Sequence, residues 1–194
     1  MSGRLLPAGL LLSLLLPARA GAQLSEVRIG AIGSYVAADA YRAGAGITLG
    51  YAPARIAYIG VRWIYHFGST ETRTDGTGTY DVTDRAQLFG ADLGMEFPLG
   101  NMELVVGGTL GAVRFSQQTA PGPSASSGTG TAIATSFVAA PMVMLHVRVG
   151  PVMIAPQVTW YFAGTPDLRW PVDDSGPAAS LSIIIPIETD RIRY

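Results

Sequence analysis

Between residues 54 and 68 the chain reads ARIAYIGVRWIYHFG, with Ile59, Val61, Trp63, Tyr65 and Phe67 at every second position and Arg62 and His66 set among them. A period of two belongs to an extended strand, whose successive side chains point to opposite faces; a helix would spread the same residues round its circumference. The pattern recurs along the chain. Tyr41, Ala43, Ala45, Ile47, Leu49 and Tyr51 alternate with Arg42, Gly44, Gly46, Thr48 and Gly50. Phe89 to Phe97 and Val152 to Phe162 repeat it, with Asp92, Glu96 and Gln157 among the intervening positions. Alternation and turn residues together predict eight strands, over residues 25–35, 41–51, 55–68, 85–98, 102–116, 132–148, 152–163 and 178–188.

The connections differ in length in a regular way. YAPAR, FPLGNM and VGPV are tight Pro/Gly turns, whereas residues 69–84, 117–131 and 164–177 are long and polar. The first connection, near 36–40, is shorter but falls on the long-loop side. Every tight turn then lies at one rim and every long loop at the other. Pro141, Pro156 and Pro186 fall inside predicted strands, where each removes a ladder donor, so bulges are expected there.

Composition decides which face meets which medium. Of the residues, 48% are apolar and 14% charged, and the mean hydropathy is +0.32. Beyond residue 22 no apolar run is long enough for a membrane-spanning helix, so the apolar residues are dispersed by alternation, as in transmembrane β-strands. The N-terminus combines Arg4, an apolar run from Leu5 to Leu16, Pro17 and the small residues Ala20, Gly21 and Ala22, the three-part layout of a secretory signal peptide. Cleavage after Ala22 leaves residues 23–194 as one domain. There is no cysteine, so stability must come from closed backbone pairing and side-chain packing rather than disulfides. The formal charge is −1, and all thirteen basic residues are arginines scattered along the chain, which gives no footprint for nucleic acid.

The predicted fold is therefore an all-β, eight-stranded antiparallel up-and-down transmembrane β-barrel with an apolar exterior. Rings fall near the strand ends, as in interfacial girdles: Tyr35, Tyr41, Phe67, Phe115, Phe137 and Trp160 at the outer rim, Tyr51 and Phe97 at the inner. Arg62 then faces the lumen, because on the lipid face it would cost about 2–4 kcal/mol at midplane. With the hairpin closing near residue 76, Arg62 lies opposite Gly90 and diagonal to Asp92, within reach of an ion pair. Glu96 and Glu103 meet near the inner rim with His146 and Arg148, at the height of Glu26, Arg28 and Glu188. Arg28, Arg62, Asp92, Glu96, Glu103, His146 and Arg148 are thus expected to form a lumen charge network. Inward glycines leave room for Tyr58, Arg62, Met142, Met144 and Tyr161, or for water.

Chemistry is sparse. His66 and Ser69 are the one His and Ser close in sequence, and barrel enzymes acting on lipid A use such residues at this height, which makes them the catalytic candidates. Glu71, Asp75 and Asp84 are the available carboxylates, but an interfacial histidine beside aromatics is the simpler reading. Asp75, Asp81 and Asp84 offer hard oxygen ligands for calcium without the spacing of an EF-hand loop. Residues 122–131, GPSASSGTGT, lack the lysine of a phosphate loop and read as linker. No cofactor and no metal is expected.

On the signal peptide, the loop asymmetry, the girdles and the C-terminal aromatic Tyr194, residues 24–194 resemble the small eight-stranded outer-membrane β-barrels of the OmpA/OmpX type. The resemblance implies a monomer in the outer membrane of a Gram-negative bacterium, in contact with membrane lipid and lipopolysaccharide. It implies assembly by the barrel assembly machinery through the C-terminal strand, and a structural or surface-interaction role. The alternatives are a lipid A acyl hydrolase or acyltransferase, a narrow small-solute pore, and a soluble carrier barrel of the lipocalin kind with Val61 and Trp63 inside.

Overall fold

Eight antiparallel strands close into one ring in the computed structural model, which describes residues 25–53, 56–122 and 128–188. They are β1 (Glu26–Val36), β2 (Arg42–Ala52), β3 (Ala57–Asp75), β4 (Gly78–Leu99), β5 (Met102–Pro121), β6 (Gly130–Val149), β7 (Val152–Ala163) and β8 (Gly176–Glu188). Each pairs with its neighbours in sequence, and β1 closes on β8 with Glu26 opposite Glu188. Closure leaves no sheet edge within the ring. The signal segment 1–22 and Tyr194 lie outside the described residues, as do residues 123–127 of the expected linker.

Alternation sets the solvation of the wall. On β4 the outward residues Phe89, Ala91, Leu93, Met95, Phe97 and Leu99 are exposed, and Leu88, Asp92 and Glu96 between them are buried. On β5 the outward apolar run extends from Met102 to Ala112 and gives way to Arg114. Runs of about 9–11 residues are what a tilted strand needs to cross a bilayer. Arg28, Arg62, Asp92, Glu96 and His146 all point inward and are buried. Val61 and Trp63 stand on the outer wall, so the polarity is the reverse of a lipocalin-type carrier.

Four features differ from the sequence reading. Residues 69–84 are ladder for most of their length, with β3 and β4 paired up to Asp75 and Gly78, and β5 and β6 likewise run on to Pro121 and back from Gly130. Tyr41 and Phe115 are not in the outer girdle but buried in the lumen. Tyr41 belongs to the turn before β2, where its amide and that of Arg42 donate to the Ala38 carbonyl and Arg42 takes a positive φ of 50°, which swings the ring inward. Phe115 keeps the inward parity of Val113 and Gln117.

The prolines do not produce bulges. Register is constant through Pro141, Pro156 and Pro186, and the β6–β7 ladder merely drops pairs near Pro141 and Pro156, because a proline removes a donor without inserting a residue. The register shift lies instead between His66 and Ser69. Gly68 takes φ +66° there and donates its amide to the Tyr41 carbonyl, and a Cβ would stand 1.6 Å from the Asp84 carbonyl oxygen. Only glycine fits.

Candidate functional site

The lumen is filled in four levels from the inner rim outward. At the first, Arg28 on β1 gathers carboxylates from three strands. Its Nε donates to Glu26 at 2.7 Å, Nη2 to Glu103 at 2.7 Å, and Nη1 to Glu96. His146 Nδ1 lies 3.0 Å from Nη1, and Arg148 reaches Glu26 at 2.6 Å. Among the described residues, Glu96, Glu103 and His146 are the one group whose ligand atoms converge as for a metal, all within 4.8 Å. The Arg28 guanidinium occupies their centre and supplies the positive charge there. Tyr58 lies beside this cluster, 5.8 Å from the His146 ring, packed over Gly50, where a Cβ would come within 2.6 Å of the tyrosine ring.

The second level is the pair that the β3–β4 register creates. Arg62 sits opposite Gly90, and its Nε and Nη2 donate to Asp92 Oδ2 at 2.9 and 2.6 Å. Thr109 donates to the other oxygen at 2.6 Å. Gly90 leaves the space across which the arginine lies, and the Met142 sulfur, part of an apolar cluster with Met144, Met153 and Ile184, lies 3.5 Å from Arg62 Nη2.

The third level is aromatic. Tyr41 stacks on Tyr161 at 5.6 Å and meets His66 and Phe115 edge-on, with Ile64, Leu88 and Val113 completing the layer. His66 is fully buried in this layer, and neither ring nitrogen has a hydrogen-bond partner. Ser69 lies above it and donates to the Asp39 carbonyl at 3.1 Å. The two catalytic candidates therefore make no hydrogen bond to each other. Asp75, Asp81 and Asp84 diverge as well: Asp75 binds Thr77 and Arg169, Asp81 accepts from Thr72 on the outer face, and Asp84 lies inside beneath Arg73 and Gln117.

The fourth level is the segment 164–175, which crosses the outer mouth. Arg73 donates to the Pro171 carbonyl at 2.7 Å and to Asp84 at 3.1 Å. Gln117 makes two bonds to the Trp170 backbone, at 3.2 and 3.0 Å. Tyr41 donates to the Asp174 carbonyl, and Leu168 and Val172 pack down on the aromatic layer. Arg169 reaches Asp75 at 2.6 Å and lies over the rings of Tyr80 and Trp170. Sequence reasoning missed this clamp. The signal was there: Leu168, Trp170 and Val172 alternate within a segment otherwise read as a polar loop.

An apolar wall, an ionised and filled lumen, and eight strands meeting in sequence order define the small up-and-down barrel of the outer-membrane type. Solved structures share this fold. Neisserial surface protein A aligns at 14% identity over 84% of this chain and 96% of its own, with a TM-score of 0.58. The N-terminal β-barrel domain of Pseudomonas aeruginosa OprF gives 13%, 84%, 97% and 0.52. A major outer membrane protein from Thermus thermophilus gives 9%, 84%, 99% and 0.66. No protein-family model matches the chain, and no curated protein matches it either.

Proposed function

We propose that the protein is a non-enzymatic outer-membrane barrel, exported through a cleaved signal peptide over residues 1–22, that acts at the cell surface and not as a pore. The observation that carries this reading is the unequal height of the wall. Strands β3 to β6 continue well past the apolar belt, while β1, β2, β7 and β8 stop near it. The extension is polar and pinned by side-chain bonds across the ladder: Thr70 to Thr83 at 2.8 Å, Thr72 to Asp81 at 2.9 Å, Thr74 to Thr79 at 3.3 Å. A hydroxyl-rich ladder held clear of the membrane suits contact with a partner outside the cell. The filled lumen argues against conduction, and the enclosure of His66 between Tyr41 and Tyr161, with the Ser69 hydroxyl donated to the Asp39 carbonyl, argues against acyl transfer.

The native chain has no cysteine, so single replacements report topology directly. Thr72→Cys should react with a membrane-impermeant maleimide on intact cells, and Asn101→Cys, on the β4–β5 turn, only after the outer membrane is opened. The reverse pattern would overturn the surface reading. Steady conductance in planar bilayers, or a lipid A profile that changes with expression, would reinstate the pore or the enzyme respectively.

A further inference from the structure

Two arginines on the outer wall have no part in the lumen network. Arg85 on β4 and Arg114 on β5 point outward where the apolar runs end, one position beyond Gln87 and one beyond Ala112 on that face. Arg85 stands opposite Ser116 and Arg114 opposite Gln87, so the two are diagonal neighbours on one face. Among the described residues neither has an ion-pair partner. The acid on the same face, Asp81, lies higher up and accepts from Thr72. Together with Tyr65, which is opposite Gln87, they line a hollow of about 120 Å³ whose polar groups are guanidinium, amide and hydroxyl, with no carboxylate. Two cations side by side repel, and an anion bridging them removes the repulsion.

Directly below, toward the midplane, small residues such as Ala91 leave a recess between the larger outward side chains. A groove of about 770 Å³ spans β1 to β5 and is floored by apolar side chains, including Ile47, Leu49, Val61, Trp63, Phe89 and Leu110. Trp63 and Phe89 immediately follow Tyr65 and Gln87 on the outward face, so the cationic hollow opens into the top of the groove. A hollow with two guanidinium groups and no carboxylate, set above an apolar groove, is complementary to an anionic amphiphile.

We propose that Arg85 and Arg114, with Tyr65, Gln87 and Ser116, bind the phosphate of a multiply acylated phosphoglycolipid of the lipid A class, whose acyl chains lie in the groove. The breadth of the groove, four strand spacings, favours several chains side by side over a two-chain phospholipid. Planar guanidinium groups bind phosphate oxygens in pairs, which fixes the headgroup at this point on the wall. The inference rests on the reading that this wall faces the outer leaflet.

Native mass spectrometry of the full chain folded in detergent tests it, with diphosphoryl lipid A, the same lipid freed of phosphate, and phosphatidylglycerol as probes. The parent should retain diphosphoryl lipid A in preference to both others. R85Q/R114Q should weaken that retention about tenfold or more, as expected when charge-assisted hydrogen bonds are removed. Ala91→Trp, which fills the groove without touching the arginines, should weaken retention of the phosphate-free lipid too. Heat-modifiable gel mobility verifies that each variant is folded, which is expected because all three positions lie on the outer wall. Equal retention of the three lipids by the parent, or retention unchanged in R85Q/R114Q, would overturn the proposal. Binding in detergent is independent of how the barrel sits in a cell, so this proposal and the surface topology fail separately.

Discussion

The two ends of the lumen are closed by different means. At the inner rim, among the described residues, the groups that close the passage are borne on strands: Arg28 and Glu26 on β1, Glu96 on β4, Glu103 on β5, His146 and Arg148 on β6. At the outer rim the aromatic layer is roofed by a segment between strands, fastened by Arg73, Gln117 and Arg169. The inner closure is made of side chains rooted in strands that the ladders hold in place. The outer roof can lift by breaking bonds to one segment while every ladder stays intact. Ion pairs between strands thus stabilise the ring itself, whereas contacts to the segment 164–175 hold a local element whose opening is a separate, smaller event.

The largest expected effect is at the inner rim. Arg28→Ala takes the central cation from Glu26, Glu96 and Glu103 and leaves Arg148 beside Glu26 among the described residues, and removing one partner of a buried ion network costs about 3–5 kcal/mol. The unfolding temperature read from gel mobility should fall steeply. Zinc sharpens the test, since Glu96, Glu103 and His146 already converge. Added zinc should raise the unfolding temperature of the variant and leave the parent unchanged; equal response of both would show that Arg28 does not fill that space. Arg62→Met follows, leaving Asp92 with Thr109 alone and costing a similar about 3–5 kcal/mol. Arg62→Met/Asp92→Leu should recover most of the loss, because an apolar pair replaces a buried ionic one. A double variant no better than the single would mean that the pair contributes more than charge compensation.

The difference between the ends also explains what could be read from sequence. Strand number, facing and the Arg62–Asp92 diagonal follow from alternation and one hairpin centre, and these are local, periodic quantities. Near the outer rim the period breaks. Tyr41 sits in a turn whose positive φ at Arg42 reverses the facing that parity assigns. Ring type alone puts Phe115 in the girdle, though Gly107 and Gly111 on its own strand already carry the inward parity. Pro141 and Pro156 remove donors without shifting register, while Gly68 shifts register through a conformation that no pattern of apolar residues encodes. The clamp on residues 164–175 joins Gln117 to Trp170 across the mouth, a side-chain contact outside every ladder that no strand register fixes.

A middle-sized effect is expected at that clamp. Gln117→Ala removes two hydrogen bonds to the Trp170 backbone, each worth about 0.5–1.5 kcal/mol. Because these bonds tie down one segment, their loss should appear as faster protease cleavage within 164–175, with the unfolding temperature of the barrel nearly unchanged. Arg73→Ala should do the same through Pro171. A fall in barrel stability comparable to that of Arg28→Ala would show that the segment is part of the cooperative unit, and the contrast between the two ends would disappear.

The smallest effect is a response to acid at the outermost fastening. Asp75 accepts from the Thr77 hydroxyl at 2.6 Å, the Thr77 amide at 2.8 Å and Arg169 at 2.6 Å. These bonds hold its carboxyl well below the usual value, down to about 2, with the Thr77 hydroxyl contributing most and Arg169 after the Thr77 amide. A lowered pKa means that the fastening contributes fully above the ordinary carboxylate pKa of 3.8 and loses its contribution as pH falls through about 2. In a variant with Trp63 and Trp160 replaced by Phe, Trp170 emission should therefore shift red between about pH 4 and pH 2 as the segment loosens. Asp75→Asn, which cannot ionise, should show the loosened emission already at neutral pH and no acid step. The site is exposed and the bonds are screened by water, so the shift should be modest. An acid step that survives in Asp75→Asn would assign the response to Asp84, buried beneath Arg73 and Gln117, and the roof would then be held from below rather than at its edge.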